Sequence, residues 1–174
     1  MTYTILDLET TGLEPAQHQI LELSFMTADT IAALEYETPR TFIMEIDEDK
    51  SWDEVPLEMH RKSGLLADLF DDTIKKYSLT QVDIFLSEYL ESREGPHYLV
   101  GNSIYFDRSF IREHMPHTEE ALHYRMIDIT SIALTAEACG YETRKQAVSR
   151  HRAKDDILAS RTQLFNLIDD AWTL

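Results

Sequence analysis

The chain has 174 residues, 43% of them hydrophobic, enough for one compact domain, 1–174, with a sizeable core. Aspartate and glutamate outnumber lysine and arginine 32 to 16, so the formal net charge is −16, and a field of that sign repels long phosphate polymers instead of tracking them. No run approaches the roughly 18 apolar residues of a membrane helix, the start Met1-Thr2-Tyr3 carries no basic leader, and a single cysteine excludes an intramolecular disulfide; a soluble, cytoplasmic protein without membrane contact is expected.

The first predicted element, Tyr3-Thr4-Ile5-Leu6-Asp7-Leu8-Glu9, reads as a strand. Residues two apart on a strand project to one side, so Asp7 and Glu9 share a face. The polar stop Thr10-Thr11-Gly12 places them at the strand's exposed end. Ile20 to Ala28, Ile31 to Glu37 and Thr41 to Glu45 read as further strands in a meander, with turns at Asp29 and Pro39. An acidic loop from Asp47 to Trp52 leads into helices from about Leu57 to Phe70 and from Thr80 to Ser92, the second with Val82, Phe85, Leu86 and Tyr89 on one side. Tyr98-Leu99-Val100 is a short buried strand. Gly101 to Asp107 then carries the chain into a helix whose Phe110, Ile111 and Met115 share a face, with Asp107 in its first turns. Cys139 falls in an apolar helical stretch with Ile132 and Ala136 and is expected to be a buried thiol. Asp155 and Asp156 open a final amphipathic helix marked by Ile157, Leu164, Phe165, Ile168 and Trp172. Strands followed by alternating helices indicate an α/β architecture.

An Asp-x-Glu pair on a strand is, alone, as well explained by solvent exposure, and acids at a helix start complement the helix dipole. The whole set says more. Asp7, Glu9, Asp107 and Asp156 form an oxygen-rich group that can hold two hard divalent cations, and His151, four residues before Asp155, offers a neutral imidazole able to take a proton from water. The chemistry expected of such a group is metal-dependent hydrolysis of a phosphodiester.

Three ordered strings carry a resemblance: Asp7-Leu8-Glu9-Thr10-Thr11-Gly12-Leu13, Asn102-x3-Phe106-Asp107 and His151-x4-Asp156. Together they resemble the three motifs of the DEDDh 3'-to-5' exonucleases. Within that group the stretches Met59-His60-Arg61-Lys62-Ser63-Gly64-Leu65, Gly101-Asn102-Ser103-Ile104 and His123-Tyr124-Arg125-Met126-Ile127-Asp128-Ile129 are similar to oligoribonuclease. The resemblance runs from about Ile5 to the final helix. It implies a ribonuclease H-like fold, a central mixed five-stranded sheet flanked by helices. It also implies that Asp7, Glu9, Asp107 and Asp156 hold two Mg2+ or Mn2+ ions, that His151 is the general base, and that the products are 5'-mononucleotides. Leu13 corresponds to an apolar residue that wedges against bases, although a turn residue folded onto the core would look the same in sequence. His60, Ser103, Arg125 and Thr130 correspond to residues capping the 5' end of a very short substrate, and Tyr124 to one reaching the neighbouring subunit's site in a homodimer. Thr10 and Phe106 depart from the oligoribonuclease pattern toward the wider group, Trp52 lies too far upstream to match that family's tryptophan, and Glu137 to Ser149 lacks its Trp-Pro stretch.

Charge bears on substrate length. Two divalent ions would neutralise only a quarter of the net charge, yet a dinucleotide or short oligonucleotide, with one or two phosphates, can be held by metals and a local clamp alone. Arg144, Lys145, Arg150, Arg152 and Lys154 surround His151 and offer either local positive potential at the site's mouth or a solvated loop. Three readings follow: a 3'-to-5' exoribonuclease acting on dinucleotides or very short RNA; the same chemistry on short or single-stranded DNA, or on RNA 3' ends; and a non-catalytic binding module. Possession of all four carboxylates and the histidine disfavours the third.

Overall fold

The computed structural model describes residues 1–47, 49–144 and 149–172, with side chains to residue 169. Its elements in order are β1 (Thr2–Thr10), β2 (Ile20–Ala28), a 3-10 turn (Ala32–Tyr36), β3 (Arg40–Met44), α1 (Glu54–Ser63), α2 (Leu65–Phe70), β4 (Lys76–Tyr77), α3 (Leu79–Glu91), β5 (His97–Gly101), α4 (Tyr105–His114), α5 (Pro116–Ala121), β6 (Leu122–Asp128), α6 (Ile129–Ala138) and α7 (Ala153–Trp172). The α/β expectation holds, but the sheet among the described residues has six strands in the order β4-β3-β2-β1-β5-β6, not five. The extra strand is the two-residue β4, parallel to β3, too short to leave a periodic pattern in the sequence. The β1–β2–β3 meander is antiparallel, whereas β1, β5 and β6 run parallel.

Alternation along β1 sorts the molecule into two layers. Leu6 and Leu8 join Leu23 and Phe25 of β2 under α3 and α4, which supply Val82, Leu86, Leu90, Phe110, Ile111 and Met115. Ile5 points to the opposite face and packs with Met26, Val100, Ile129, Ile157, Leu164 and Leu167 under α6 and α7. Asp7 and Glu9 continue the Ile5 face, so the pleat alone sends both carboxylates toward the start of α7. The pairing of β1 with β5 ends at Ile5–Val100, and beyond it the last part of β1 protrudes with an open edge.

Two expected elements differ. Ile31 to Glu37 is not a strand: the Thr30 hydroxyl accepts from the Ala33 N–H at 3.1 Å, and only Leu34 of the 3-10 turn is buried, so no alternating face exists to pair. The helix expected over Leu57 to Phe70 is broken at Gly64, whose φ of 84° lies in the left-handed region that stops a helix. Cys139 is exposed, because the short α6 buries Ile129 and Ala133 and leaves its last turn facing outward. No helix among the described residues is long and apolar enough to cross a membrane. Lys145 lies outside the described residues, as does the side chain of Trp172.

Candidate active site

The protruding end of β1 is the site's foundation. With β5 no longer alongside, the Leu8 N–H is donated at 2.9 Å to Asp107 Oδ1, and the first turn of α4 thereby pins a carboxylate against the strand. Asp107 is only 5% exposed. From the other side α7 brings Asp156 in its first turn. Ligand atoms of Glu9, His151 and Asp156 all lie within 4.8 Å of one another. The four carboxylates and the histidine singled out in the sequence therefore converge on one end of the sheet, from three separate stretches of chain.

The electrostatics are those of crowded, buried acids. Burial, then Asp156, Glu22 and Asp107, pushes Glu9 up to about 8, against a smaller opposing effect of Arg152. Burial likewise raises Asp107 to about 7 in spite of the Leu8 hydrogen bond. Asp7 is held well above the usual carboxylate range, by burial first and then by Asp107, Glu9, Asp156 and Glu22. A donor set made of carboxylate oxygens plus one imidazole, at this density, fits hard divalent cations such as Mg2+ or Mn2+.

His151 sits in a tight turn at φ 54°. Ser149 organises that turn: its hydroxyl donates to Asp156 Oδ2 at 2.9 Å and accepts the His151 N–H at 3.1 Å. Because the Ser149 proton is used on Asp156, its contact of 3.2 Å with His151 Nδ1 makes Nδ1 the protonated nitrogen. Nε2 is then left with the lone pair, the tautomer a general base requires. The Arg150 N–H also donates to Asp156 Oδ1, at 3.2 Å.

Beside Glu9 opens a cleft of about 540 Å3 lined by Leu13, Val55, Pro56, Met59, His60 and Phe106 among others. Leu13 is 68% exposed on its rim, so it is not a turn residue folded onto the core. Gly12 is required just before it, since a Cβ there would lie 2.3 Å from the His18 ring. His60 belongs to this cleft: it is 1% exposed, its Nε2–H donates to the Thr10 carbonyl at 2.8 Å, and its Nδ1 faces Glu9 Oε2 at 3.7 Å. Nδ1 has no hydrogen-bond partner among the described residues. Burial lowers the His60 pKa, so Nδ1 offers a lone pair. Trp52, despite its distance in sequence, packs edge-on to the His60 ring at 6.3 Å.

Ser103 and Thr130 come together elsewhere. The Ser103 N–H donates to Thr130 Oγ1 at 3.1 Å, Thr130 donates to Asn102 Oδ1 at 3.2 Å, and Asn102 Nδ2 donates to Ser160 Oγ of α7 at 2.9 Å. Ser103 has φ 48°. Arg125 lies over the Tyr124 ring at 4.8 Å, and Tyr124, itself 68% exposed, stacks against His123. Of the basic cluster, Arg144 Nη1 donates to Asn166 Oδ1 at 2.7 Å, and Arg152 turns inward to Glu22 and Asp68. Sequence reasoning missed Glu22, Asp68 and Ser149. Glu22 alone had a signal, as the single charged residue of β2.

A family model described as Exonuclease, RNase_T, matches residues 4–164. The chain belongs to this exonuclease family. Within it, the chain is 32% identical to the oligoribonuclease of Corynebacterium glutamicum over 162 residues, covering 91% of this chain and 74% of that protein. It is also 32% identical to the mitochondrial oligoribonuclease of Mus musculus, covering 91% and 68%, and 31% identical to the oligoribonuclease of Vibrio cholerae, covering 91% and 89%. Among solved structures, the zinc-bound E. coli ExoI–ssDNA complex superposes with a TM-score of 0.71 at 14% identity, over 98% of this chain and 41% of that one. Exonuclease I of Methylocaldum szegediense superposes with a TM-score of 0.70 at 15% identity, over 98% and 41%. This chain spans about two-fifths of those structures' length, and at such identity they establish a shared exonuclease fold.

Proposed function

We propose that this exonuclease-family protein is a metal-dependent 3'-to-5' exoribonuclease that converts dinucleotides and very short oligoribonucleotides to 5'-mononucleotides. The observation that carries the reading is the convergence of Glu9, His151 and Asp156 within 4.8 Å, beside Asp7 and Asp107 and next to a largely apolar cleft of about 540 Å3. Asp7, Glu9, Asp107 and Asp156 would hold two divalent cations, Mg2+ or Mn2+. When bound, such ions supply charge neutralisation at the scissile phosphate and a lowered pKa for water.

The chain's own groups do the rest. His151 Nε2 accepts the proton of the attacking water, and Ser149 at Nδ1 keeps that nitrogen free for it. Leu13 on the cleft rim packs against a base face without reading its identity. His60, expected at the 5' end of the substrate, is buried with its Nδ1 3.7 Å from Glu9 Oε2, and would act through Glu9 on the cleft floor. Ser103, Thr130 and Arg125 meet the 5' end of the short substrate. The net charge of −16 disfavours long phosphate polymers and supports the preference for one or two phosphates. Tyr124 projects from the edge strand β6 with its ring exposed, which supports a homodimer in which it reaches the neighbouring site.

The alternative, equal chemistry on short or single-stranded DNA or on RNA 3' ends, is favoured by Phe106, which lines the cleft and matches the wider DEDDh group. Turnover of 5'-labelled RNA of two, three, five and seven nucleotides with Mn2+ or Mg2+, beside the matching DNA, decides between them. A sharp preference for the RNA dinucleotide is expected. Activity that rises with length, or that favours DNA, selects the alternative.

A further inference from the structure

Glu22 stands opposite Glu9 on the β1–β2 ladder and is 1% exposed, yet unlike its neighbour it is bound by a guanidinium. Arg152 straddles it, with Nη2 2.9 Å from Oε1 and Nε 3.3 Å from both oxygens. The N–H of Ala153, the first residue of α7, donates to Glu22 Oε2 at 2.8 Å. The same guanidinium reaches Asp68 Oδ2 of α2 at 2.8 Å, and α2 is itself seated on the sheet through Leu65 and Leu69 against Leu21. Arg152 immediately follows His151, whose φ of 54° is a conformation a non-glycine residue keeps only when its surroundings impose it.

We infer that Glu22, Arg152 and Asp68 form a clamp of positioning residues that fixes the His151 turn and the start of α7 over Glu9; the inference rests on the hydrolytic reading above. The turn is held at both ends. Upstream, Ser149 and Arg150 bind Asp156; downstream, Arg152 and Ala153 bind Glu22. Since Glu22 occupies the rung of the ladder paired with Glu9, the proton acceptor is located by the same piece of sheet that carries the carboxylate. A planar guanidinium spanning two carboxylates from different elements fixes direction as well as distance, which an ammonium cannot do. Displacement of a reacting group by about 1 Å costs roughly a hundredfold in rate, so loosening the clamp acts on kcat and leaves the cleft that binds the substrate as it was.

The test uses the full chain with Asp68→Asn, which removes one arm at a position partly open to solvent, and Arg152→Lys, which keeps the charge and loses the fork. Two quantities are read: amide hydrogen exchange over residues 149–156, and kcat and KM on an RNA dinucleotide at saturating Mn2+. The clamp predicts exchange accelerated in that segment and not in the sheet, kcat lowered roughly tenfold in Asp68→Asn and further in Arg152→Lys, and KM within about twofold. Unchanged local exchange, or faster exchange with kcat unaltered, overturns it, because the ion pairs would then serve the fold only. If the unsubstituted protein does not turn over the dinucleotide, the proposed function fails, and the exchange arm alone still decides whether the clamp holds the turn.

Discussion

Two groups of acids on neighbouring strands occupy the same face of the sheet and are built in opposite ways. At the end of β1, Asp7 and Glu9 lie among Asp107 and Asp156, and burial, joined at Asp7 and Glu9 by repulsion from the neighbouring acids, raises the pKa values of Asp7, Glu9 and Asp107. One strand away on β2, Glu22 is buried more deeply than Glu9 and yet is fully partnered by Arg152 and the Ala153 N–H. Burial is therefore not what distinguishes a reactive acid from a structural one here. The difference is the company each keeps: Asp7 and Glu9 stand chiefly against other acids, whereas the β2 acid is bound by a guanidinium and a backbone N–H that hold the chain in place.

Several substitutions would break or sharpen that contrast. The largest effect is expected at the unpartnered acids. Asp7→Ala should abolish dinucleotide hydrolysis, a loss of about a thousandfold or more, while raising the melting temperature of the metal-free protein; unchanged turnover in a steady-state assay would refute the metal-site assignment. His151→Ala should lower kcat by roughly 10² to 10⁴ and leave Mn2+ affinity, measured calorimetrically, far less altered. Glu22→Gln should do the reverse of Asp7→Ala to the fold, lowering stability by about 3 kcal/mol in denaturant titration because Arg152 loses its buried partner.

A pH dependence separates the two regions without mutation. Folded-state pKa values of about 8 for Glu9 and about 7 for Asp107 lie above those of the unfolded chain, so the native metal-free protein binds more protons than the unfolded one between roughly pH 4.5 and 8. Its melting temperature should fall as pH rises through that window. Added Mn2+ should raise it more at pH 8 than at pH 6, where protons compete for the same oxygens, and scanning calorimetry at both pH values with and without metal measures this. The smallest effect belongs to the rim: Leu13→Ala, truncating an exposed side chain, should raise KM several-fold, on the order of 1 kcal/mol, with kcat nearly unchanged in the same assay.

Much of the site could be read from the chain because its residues sit at places with strong local signatures. Asp7 and Glu9 follow from strand alternation, and Asp156 from a helix start. Asp107 and His151 become interpretable only with their motifs. What failed locally did so for identifiable reasons. Ile31, Leu34 and Tyr36 suggest a strand over Ile31 to Glu37, but Ala32, Ala33, Leu34 and Glu35 favour a helical turn, which the Thr30 hydroxyl caps. Cys139 looks buried by company and is exposed because its helix ends there. Arg152 reads as one more member of a cationic loop. Only its partners, 130 and 84 positions earlier in sequence, reveal it as an internal strut.

The sequence by itself determined which carboxylates and imidazole are the candidates for the site, which strand face Asp7 and Glu9 leave from, and the family to which the chain belongs, since these depend on residue type, order and short-range periodicity. Tertiary structure alone decided which acids keep a counter-ion and which do not, that His60 lies against Glu9, and that Trp52 lies against His60. Those outcomes depend on contacts between residues far apart in the chain, and the charge state of a buried carboxylate is set by what surrounds it in space.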